Sequence, residues 1–249
     1  MAAPAFTTFA APARFYRLAQ AWLPWLWLAA AVFGAAALYV GFFVAPTDAQ
    51  QGEAYRIIFI HVPAAWMSML IYLVMALWAG LGWWLNARMA SMLAHALAPT
   101  GALFTLLTLL TGAVWGRPTW GTWWVWDARL TSELVLLFLY LGYLALLSAI
   151  DDPRRADRAT AVLALVGVVN VPVIYFSVKW WNTLHQGASV GLGSAPTMAA
   201  TMLGAMLLMT LALWLYSFAV VFTRARALLL EREAGAAWVR ALNPTPERA

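Results

Sequence analysis

Six long apolar runs, separated by shorter polar segments, are the feature that most constrains the fold of this chain. Crossing a bilayer takes about 20 apolar residues in a helix. The runs cover residues 22–44, 57–85, 97–114, 134–150, 159–178 and 198–222. Only 10% of the 249 residues are charged, against roughly 25% in soluble domains. We therefore predict an all-α polytopic membrane protein, in which residues 1–249 form a single six-helix membrane domain.

The first run could also be read as a secretory signal peptide. The apolar core of a signal peptide is only ~7–15 residues long and precedes a small-residue cleavage site. The run at 22–44 is longer, so it is predicted to be a retained first span.

The distribution of basic residues predicts the orientation of the bundle. Six spans place both termini on one side of the membrane, and arginine and lysine are enriched on the cytoplasmic side. The termini and the two segments on their side carry 11 Lys and Arg, whereas the three opposite segments carry 4. Both termini are therefore predicted to be cytoplasmic in a bacterial inner membrane. Since orientation accounts for the net charge of +5, no nucleic-acid partner is needed, and the lipid bilayer is the expected surrounding.

The chain contains no cysteine. Iron–sulfur clusters, thiolate metal sites and covalent haem attachment through Cys-x-x-Cys-His are thereby excluded. Any bound metal or cofactor would need other ligands.

The segment 115–130, here called the tryptophan segment, is predicted to be a periplasmic binding surface. Its aromatic residues are Trp115, Trp120, Trp123, Trp124 and Trp126. Tryptophans at span ends usually form an interfacial belt, but a belt needs only one or two rings per end. Glycine and proline residues are expected to break the segment into short pieces. The spacing from Trp120 to Asp127 predicts a short helix lying flat with one aromatic face, and such an exposed apolar patch marks a ligand or partner site.

The predicted topology separates the three histidines. His61 lies about one turn inside the periplasmic end of the second span, and His185 lies in the last periplasmic segment. His95 falls in a polar hinge at residues 86–96 on the cytoplasmic side. Either periplasmic histidine alone is most simply a polar interface residue, but together with the tryptophan segment they occupy one layer of the membrane.

Haem is the ligand that best suits these residues. Tryptophan faces can cover its planar apolar macrocycle, histidines commonly serve as its axial ligands, and arginines can pair with its propionates. On this interpretation His61 and His185 bind the iron, and Arg56 and Arg129 pair with the propionates. Zinc is the alternative for paired histidines, but it would need three or four ligands and would not explain the tryptophans.

Several further polar or helix-breaking residues are predicted to have structural roles. Asp127 is expected to cap a helix or to pair with Arg129 or a histidine. Glu133 is expected to cap the start of the fourth span. Pro172 is predicted to kink the fifth span near Asn170, the one strongly polar residue expected in mid-span. Gly187, Gly191 and Gly193 are expected to make the last periplasmic segment compliant.

The run from Trp115 to Thr131 resembles the tryptophan-rich "WWD" signature of the haem-handling superfamily of cytochrome c maturation. The chain's size, its six spans and one histidine on each side of the signature resemble the small members of that superfamily, the haem exporter C family. The resemblance covers nearly the whole chain.

This resemblance implies non-covalent haem b held at the periplasmic face by two histidines, His61 and His185. The signature residues Trp115, Trp120, Trp124 and Asp127 would form a shelf for it. It also implies delivery of haem to a periplasmic haem chaperone. The implied partners are an ATP-binding-cassette ATPase with its membrane subunit and a small single-span membrane protein.

The sequence thus predicts a haem-presenting membrane protein rather than a conventional enzyme, since the covalent step would belong to cofactor and partner. One alternative is a transporter or channel subunit that moves haem or another solute. A polar pathway would require ionisable residues in mid-span, and the spans are expected to contain almost none. The other alternative is a structural subunit whose aromatic segment docks a partner.

Overall fold

The computed structural model describes residues 11–185, 187, 189–191 and 195–242. Among these residues the regular secondary structure is helical, apart from an isolated bridge between Asp48 and Gly52, and loops connect the helices. The helices are α1 (Pro12–Tyr39), α2 (Ile58–Trp84), α3 (Arg88–Trp120), α4 (Ala128–Ala149), α5 (Pro153–Gly167), α6 (Asn170–Trp180), α7 (Ala200–Arg232) and α8 (Ala237–Arg240). A π-helical turn at Val40–Val44 extends α1, and a 3₁₀ turn at Glu53–Ile57 precedes α2. Gly193 lies outside the described residues.

Six helical stretches in the described part of the chain are long and apolar enough to cross a membrane. They are Pro12–Val44, Glu53–Trp84, Arg88–Trp120, Ala128–Ala149, Pro153–Trp180 and Ala200–Arg232. The predicted all-helical, six-span architecture is therefore confirmed. Most stretches extend beyond the apolar runs in the sequence, because helices continue past the hydrocarbon region where polar residues begin.

Helices α2 and α3 form the centre of the bundle, and α1 packs mainly on α7 at its edge. The shared core contains Tyr72 and Tyr140, whose ring centroids lie 5.0 Å apart with an edge-to-face geometry. These large rings fit because glycines face them. A Cβ on Gly101 would lie 2.1 Å from Tyr140 Cζ, and one on Gly167 would lie 2.1 Å from the Tyr72 hydroxyl.

The fifth span is interrupted, as the sequence predicts. Helix α5 ends at Gly167 and α6 begins at Asn170. Pro172 has no N–H to donate to the carbonyl one turn earlier, which favours a break at this point. The Asn170 side chain donates to the Ser132 carbonyl at 2.9 Å. This bond holds the second half of the span against α4.

The predicted polar hinge at 86–96 is wrong. The chain turns within Leu85–Ala87, with Asn86 at a φ of 50°, and α3 has already begun at Arg88. His95 lies inside the bundle, 2% exposed, where its Nδ1 is 2.9 Å from the Tyr143 hydroxyl. Its Nε2 is 2.7 Å from an Asp157 oxygen. A short left-handed turn replaces the hinge, since these polar groups are paired within the bundle instead of being solvated.

His95 and Gly112 lie in opposite halves of α3. With 1.5 Å of rise per residue, the 17 positions between them correspond to about 25 Å. Gly112 is the residue against which His61 packs. His95 therefore lies about 25 Å from the level of His61 along the helix axis. We call the end that carries His61 and His185 the histidine end.

Candidate ligand site between two histidines

The tryptophan segment does not contain the short flat helix predicted from Trp120 to Asp127. Helix α3 instead runs on through Gly116 and Pro118 to Trp120. Gly121, at a φ of 79°, ends it in the left-handed conformation that glycine adopts without steric cost. The residues after Gly121 are non-helical up to Asp127, which caps α4. The predicted helix is thus replaced by the end of one span and the start of the next.

Two of the five tryptophans line a cavity at the histidine end. These are Trp115 and Trp120. The Trp115 indole N–H donates to Gln51 Oε1 at 2.7 Å, which fixes its ring. Trp123 and Trp126 are exposed by 58% and 76%, and the Trp124 ring packs on Trp126 with a centroid separation of 5.3 Å. The segment therefore has a part that faces the cavity and a part that faces outward.

His61 stands in the first turns of α2 and is held from three sides. Its ring centroid is 5.5 Å from that of Trp115, and a Cβ on Gly112 would lie 3.1 Å from its Cε1. Its Nδ1 lies 2.9 Å from Thr111 Oγ1. Because that hydroxyl donates to the Leu107 carbonyl at 2.6 Å, it accepts from the histidine. His61 thus carries its proton on Nδ1 and keeps the lone pair on Nε2.

His185 lies five residues after the end of α6. Its ring centroid is 4.7 Å from that of Trp120. Its Nδ1 is 3.2 Å from Asp127 Oδ2, and the Thr183 hydroxyl also contacts the same carboxylate oxygen. A carboxylate accepts the Nδ1 proton, so Nε2 of His185 also carries a free lone pair.

Burial controls the charge of this histidine. Desolvation lowers the pKa of His185, and this outweighs the opposing effect of the Asp127 carboxylate. Burial would raise the pKa of Asp127, but hydrogen bonds from Thr183, the Leu130 N–H and His185 hold it below its usual value. At neutral pH the pair is therefore a neutral imidazole beside a carboxylate, which suits a metal ligand.

Asp127 has two of the structural roles predicted for it. Its Oδ1 accepts the Leu130 N–H at 2.8 Å and caps α4, while its Oδ2 orients His185. The residue couples the start of the fourth span to the segment after the fifth.

The two histidines line one cavity of about 120 Å³. A smaller cavity of about 20 Å³ also touches both histidines. The larger cavity has mostly apolar walls, which include Ile58, Val62, Trp66, Val190, Met198 and Met206. The arrangement therefore places two imidazoles, each with an Nε2 that makes no hydrogen bond among the described residues, on the wall of a mostly apolar, aromatic cavity.

The two predicted arginines are placed differently. Arg129 lines both cavities, and its Nη1 donates to the Ile174 carbonyl at 3.4 Å. Arg56 is not among the lining residues. Its Nη1 donates to the carbonyls of Gly41 and Ala45 at 2.7 and 2.9 Å, and its side chain pairs with Glu53. Arg56 thus holds the end of the first span to the start of the second.

The prediction that Glu133 caps the start of the fourth span is wrong. Glu133 does not cap α4, since Asp127 does so. It is only 4% exposed, accepts from the Ser68 hydroxyl at 2.9 Å and lines the smaller cavity with Arg129. Glu133 is therefore a buried acid close to the histidine end of the fourth span. The available signal was the four-residue spacing from Arg129, which places both side chains on one face of a helix.

In the part of the chain that the structure describes, the histidines are not part of a larger cluster of metal ligands. Among the described residues, no group of three or more His, Cys, Asp or Glu side chains is placed to hold a metal ion. Structural zinc sites use four ligands, and catalytic sites use three protein ligands. The zinc alternative is therefore not favoured.

Fold and site together define a class: a polytopic helical membrane protein with a pocket at one end in which two histidines face aromatic walls. The family described as heme exporter protein C matches residues 5–240. The heme exporter protein C of Escherichia coli K12 is 54% identical over 180 residues, or 72% of this chain and 74% of that protein. The chain belongs to the heme exporter protein C family, and it is a multi-pass protein of the bacterial inner membrane.

Two further relatives show how widely the similarity extends. The heme exporter protein C of Paracoccus denitrificans is 43% identical over 235 residues, which cover 90% of this chain and 97% of that protein. A Marchantia polymorpha protein, described as a putative cytochrome c biosynthesis ccmC-like mitochondrial protein, is 48% identical over 175 residues. That match covers 70% of this chain and 72% of the relative.

Proposed function

We propose that this protein binds haem b non-covalently between His61 and His185 and delivers it to a periplasmic haem chaperone during cytochrome c maturation. The observation that carries the proposal is the state of the two imidazoles. Both line the same cavity, and both have Nδ1 engaged by an oxygen atom. Each is therefore held in the tautomer that offers Nε2 to iron.

The remaining wall residues suit the other parts of haem. The rings of Trp115 and Trp120 provide apolar cover for a macrocycle. Arg129 is the cation of the cavity and the proposed partner of a propionate. Arg56 stays a predicted second partner, although its hydrogen bonds are made to the end of the first span.

The outward part of the tryptophan segment is proposed to belong to the same site. Trp123, Trp124 and Trp126 lie on the segment that leads from Trp120 to Asp127. The exposed rings of Trp123 and Trp126 provide apolar surface beyond the cavity wall. We propose that they cover the part of the macrocycle nearest the receiving chaperone.

We further propose that the protein works at the periplasmic face with an ATP-binding-cassette ATPase, its membrane subunit and a small single-span membrane protein. The basic-residue bias, which predicts cytoplasmic termini, supports this proposal. In this role the chain binds and orients haem, and the covalent chemistry belongs to the partner.

An optical spectrum of the protein purified in mild detergent tests the ligand assignment. We expect a Soret band in the wild type and its loss in the double variant His61→Ala/His185→Ala, because both residues that would hold the iron are removed. His95→Ala is the matched control, since His95 is buried at the other end of α3. It should keep the band. An unchanged spectrum in the double variant would contradict the assignment of His61 and His185 as the iron ligands.

A further inference from the structure

We infer that Glu133 is an internal counter-ion that competes with the carboxylates of bound haem for Arg129. This inference rests on the proposed function. It assigns a buried acid to the site as a positioning residue that acts through Arg129. The competition weakens haem binding and so favours the transfer of haem to the chaperone.

Arg129 carries its charge in a partly buried position. A guanidinium stays protonated in proteins and needs compensation when it is buried. Among the described residues Arg129 makes one hydrogen bond, to the Ile174 carbonyl, and no carboxylate is in direct ion-pair contact with it. Its charge is therefore balanced by carboxylates at a somewhat longer distance.

Two acids interact electrostatically with Arg129, namely Asp127 and Glu133. Asp127 is committed elsewhere, since its two oxygens accept from the Leu130 N–H, Thr183 and His185. Glu133 is not. In the described part of the chain its carboxylate accepts one hydrogen bond, from Ser68 to Oε1. Glu133 therefore has an oxygen available as a partner for Arg129.

Arg129 and Glu133 line the same cavity, so their opposite charges lie near each other. Arg129 and Glu133 are one helical turn apart on α4, a spacing at which side chains are neighbours. Both line the cavity of about 20 Å³ that also touches the two histidines. Arg129 alone of the two also lines the larger cavity. The guanidinium thus stands between an internal carboxylate and the place where the carboxylates of haem are proposed to lie.

This position makes the two carboxylates competitors. In haem-free protein Glu133 balances Arg129. When a propionate takes over that role, the Glu133 carboxylate loses part of its compensation and repels the incoming anion, which costs free energy in a buried site. Neutralising Glu133 is therefore expected to strengthen haem binding, which a merely structural residue would not do.

The test compares haemin with its dimethyl ester, which lacks both carboxylates. Glu133→Gln keeps an oxygen that accepts from Ser68 but removes the charge. We expect Glu133→Gln to bind haemin about tenfold more tightly, which corresponds to ~1.4 kcal/mol, and to bind the ester as the wild type does. In the Arg129→Gln background the same change should have no effect on haemin affinity, because a buried carboxylate without its cation takes up a proton. Equal haemin affinity of wild type and Glu133→Gln, or weaker binding by the folded variant, would overturn the inference.

Thermal melting of haem-free protein keeps the test decisive if Glu133→Gln does not fold. In Arg129→Gln the folded protein must protonate Glu133, which costs free energy at neutral pH. The double variant Arg129→Gln/Glu133→Gln avoids this cost and should melt above Arg129→Gln. Strictly additive or greater destabilisation would contradict a coupled pair. If haem binds without His61 and His185, the Soret band survives their replacement, and if the protein does not bind haem, no variant shows a band. In both cases this melting comparison still reports on Glu133 and Arg129. The two failures can therefore be distinguished.

Discussion

At the scale of single residues, Asp127 connects two parts of the site through separate oxygens. One oxygen caps α4 by accepting the Leu130 N–H, and the other accepts from Thr183 and His185. The cap is a local feature that the sequence already suggests, since Asp is a preferred N-cap residue. The pairing with His185 joins residues 58 positions apart, and only folding creates it.

Replacing Asp127 by Asn should separate these two functions. Asn is as good an N-cap residue as Asp, so the thermal stability of the haem-free protein should change by less than about 1 kcal/mol. Loss of the charged acceptor on His185 should weaken haem binding roughly 10–100-fold, the usual cost of removing a partner that orients a metal ligand. Titration of haemin followed by the Soret band measures the affinity. Wild-type affinity in Asp127→Asn would show that this carboxylate does not support the ligand.

At the scale of helices, close packing around α3 and α4 sets the positions of the site residues. Tyr140 is fully buried, lies against Gly101 and donates to the Ser68 carbonyl at 2.8 Å. The Ser68 hydroxyl in turn donates to Glu133. The contact between Gly101 and Tyr140 therefore supports the position of Ser68 and, through Ser68, that of Glu133 at the smaller cavity.

Gly101→Ala should test this packing. The added Cβ would lie 2.1 Å from Tyr140 Cζ, and overpacking of this kind typically costs about 1–3 kcal/mol. The melting temperature in detergent should fall accordingly. Gly204→Ala on α7 is the matched control, because nothing lies within 4 Å of its added Cβ, and it should not lower the melting temperature. Equal behaviour of the two variants would argue against the tight contact.

At the scale of the whole molecule, the orientation of the bundle decides which compartment the site faces. The chain has no cysteine, so a single introduced cysteine can be labelled without background. Ala49 is exposed at the histidine end, and Asp151 is exposed on the turn between α4 and α5 at the other end. The basic-residue bias predicts that the first faces the periplasm and the second the cytoplasm.

A membrane-impermeant maleimide applied to spheroplasts checks this orientation. Ala49→Cys should react in intact spheroplasts, whereas Asp151→Cys should react only after the membrane is permeabilised. The opposite pattern would place the histidine end in the cytoplasm and would exclude delivery to a periplasmic chaperone.

The number of spans, the interruption at Pro172 and the separation of His95 from the other histidines could all be predicted from the sequence. Hydropathy, proline chemistry and the order of the spans are local properties that do not depend on packing partners. The end of α3 at Gly121 was missed, although the signal is local, because the spacing of the tryptophans imitates a helical face.

Only the tertiary structure decided which way the side chains of the site face and what they contact. It turned Trp115 and Trp120 toward the cavity and left Trp123 and Trp126 exposed. It also buried Glu133 beside Arg129, while Arg56 bonded to the end of the first span. These outcomes depend on how each helix is rotated about its axis and on which distant segment packs against it. In a chain with apolar residues on nearly every face, the hydrophobic pattern carries little information about that rotation.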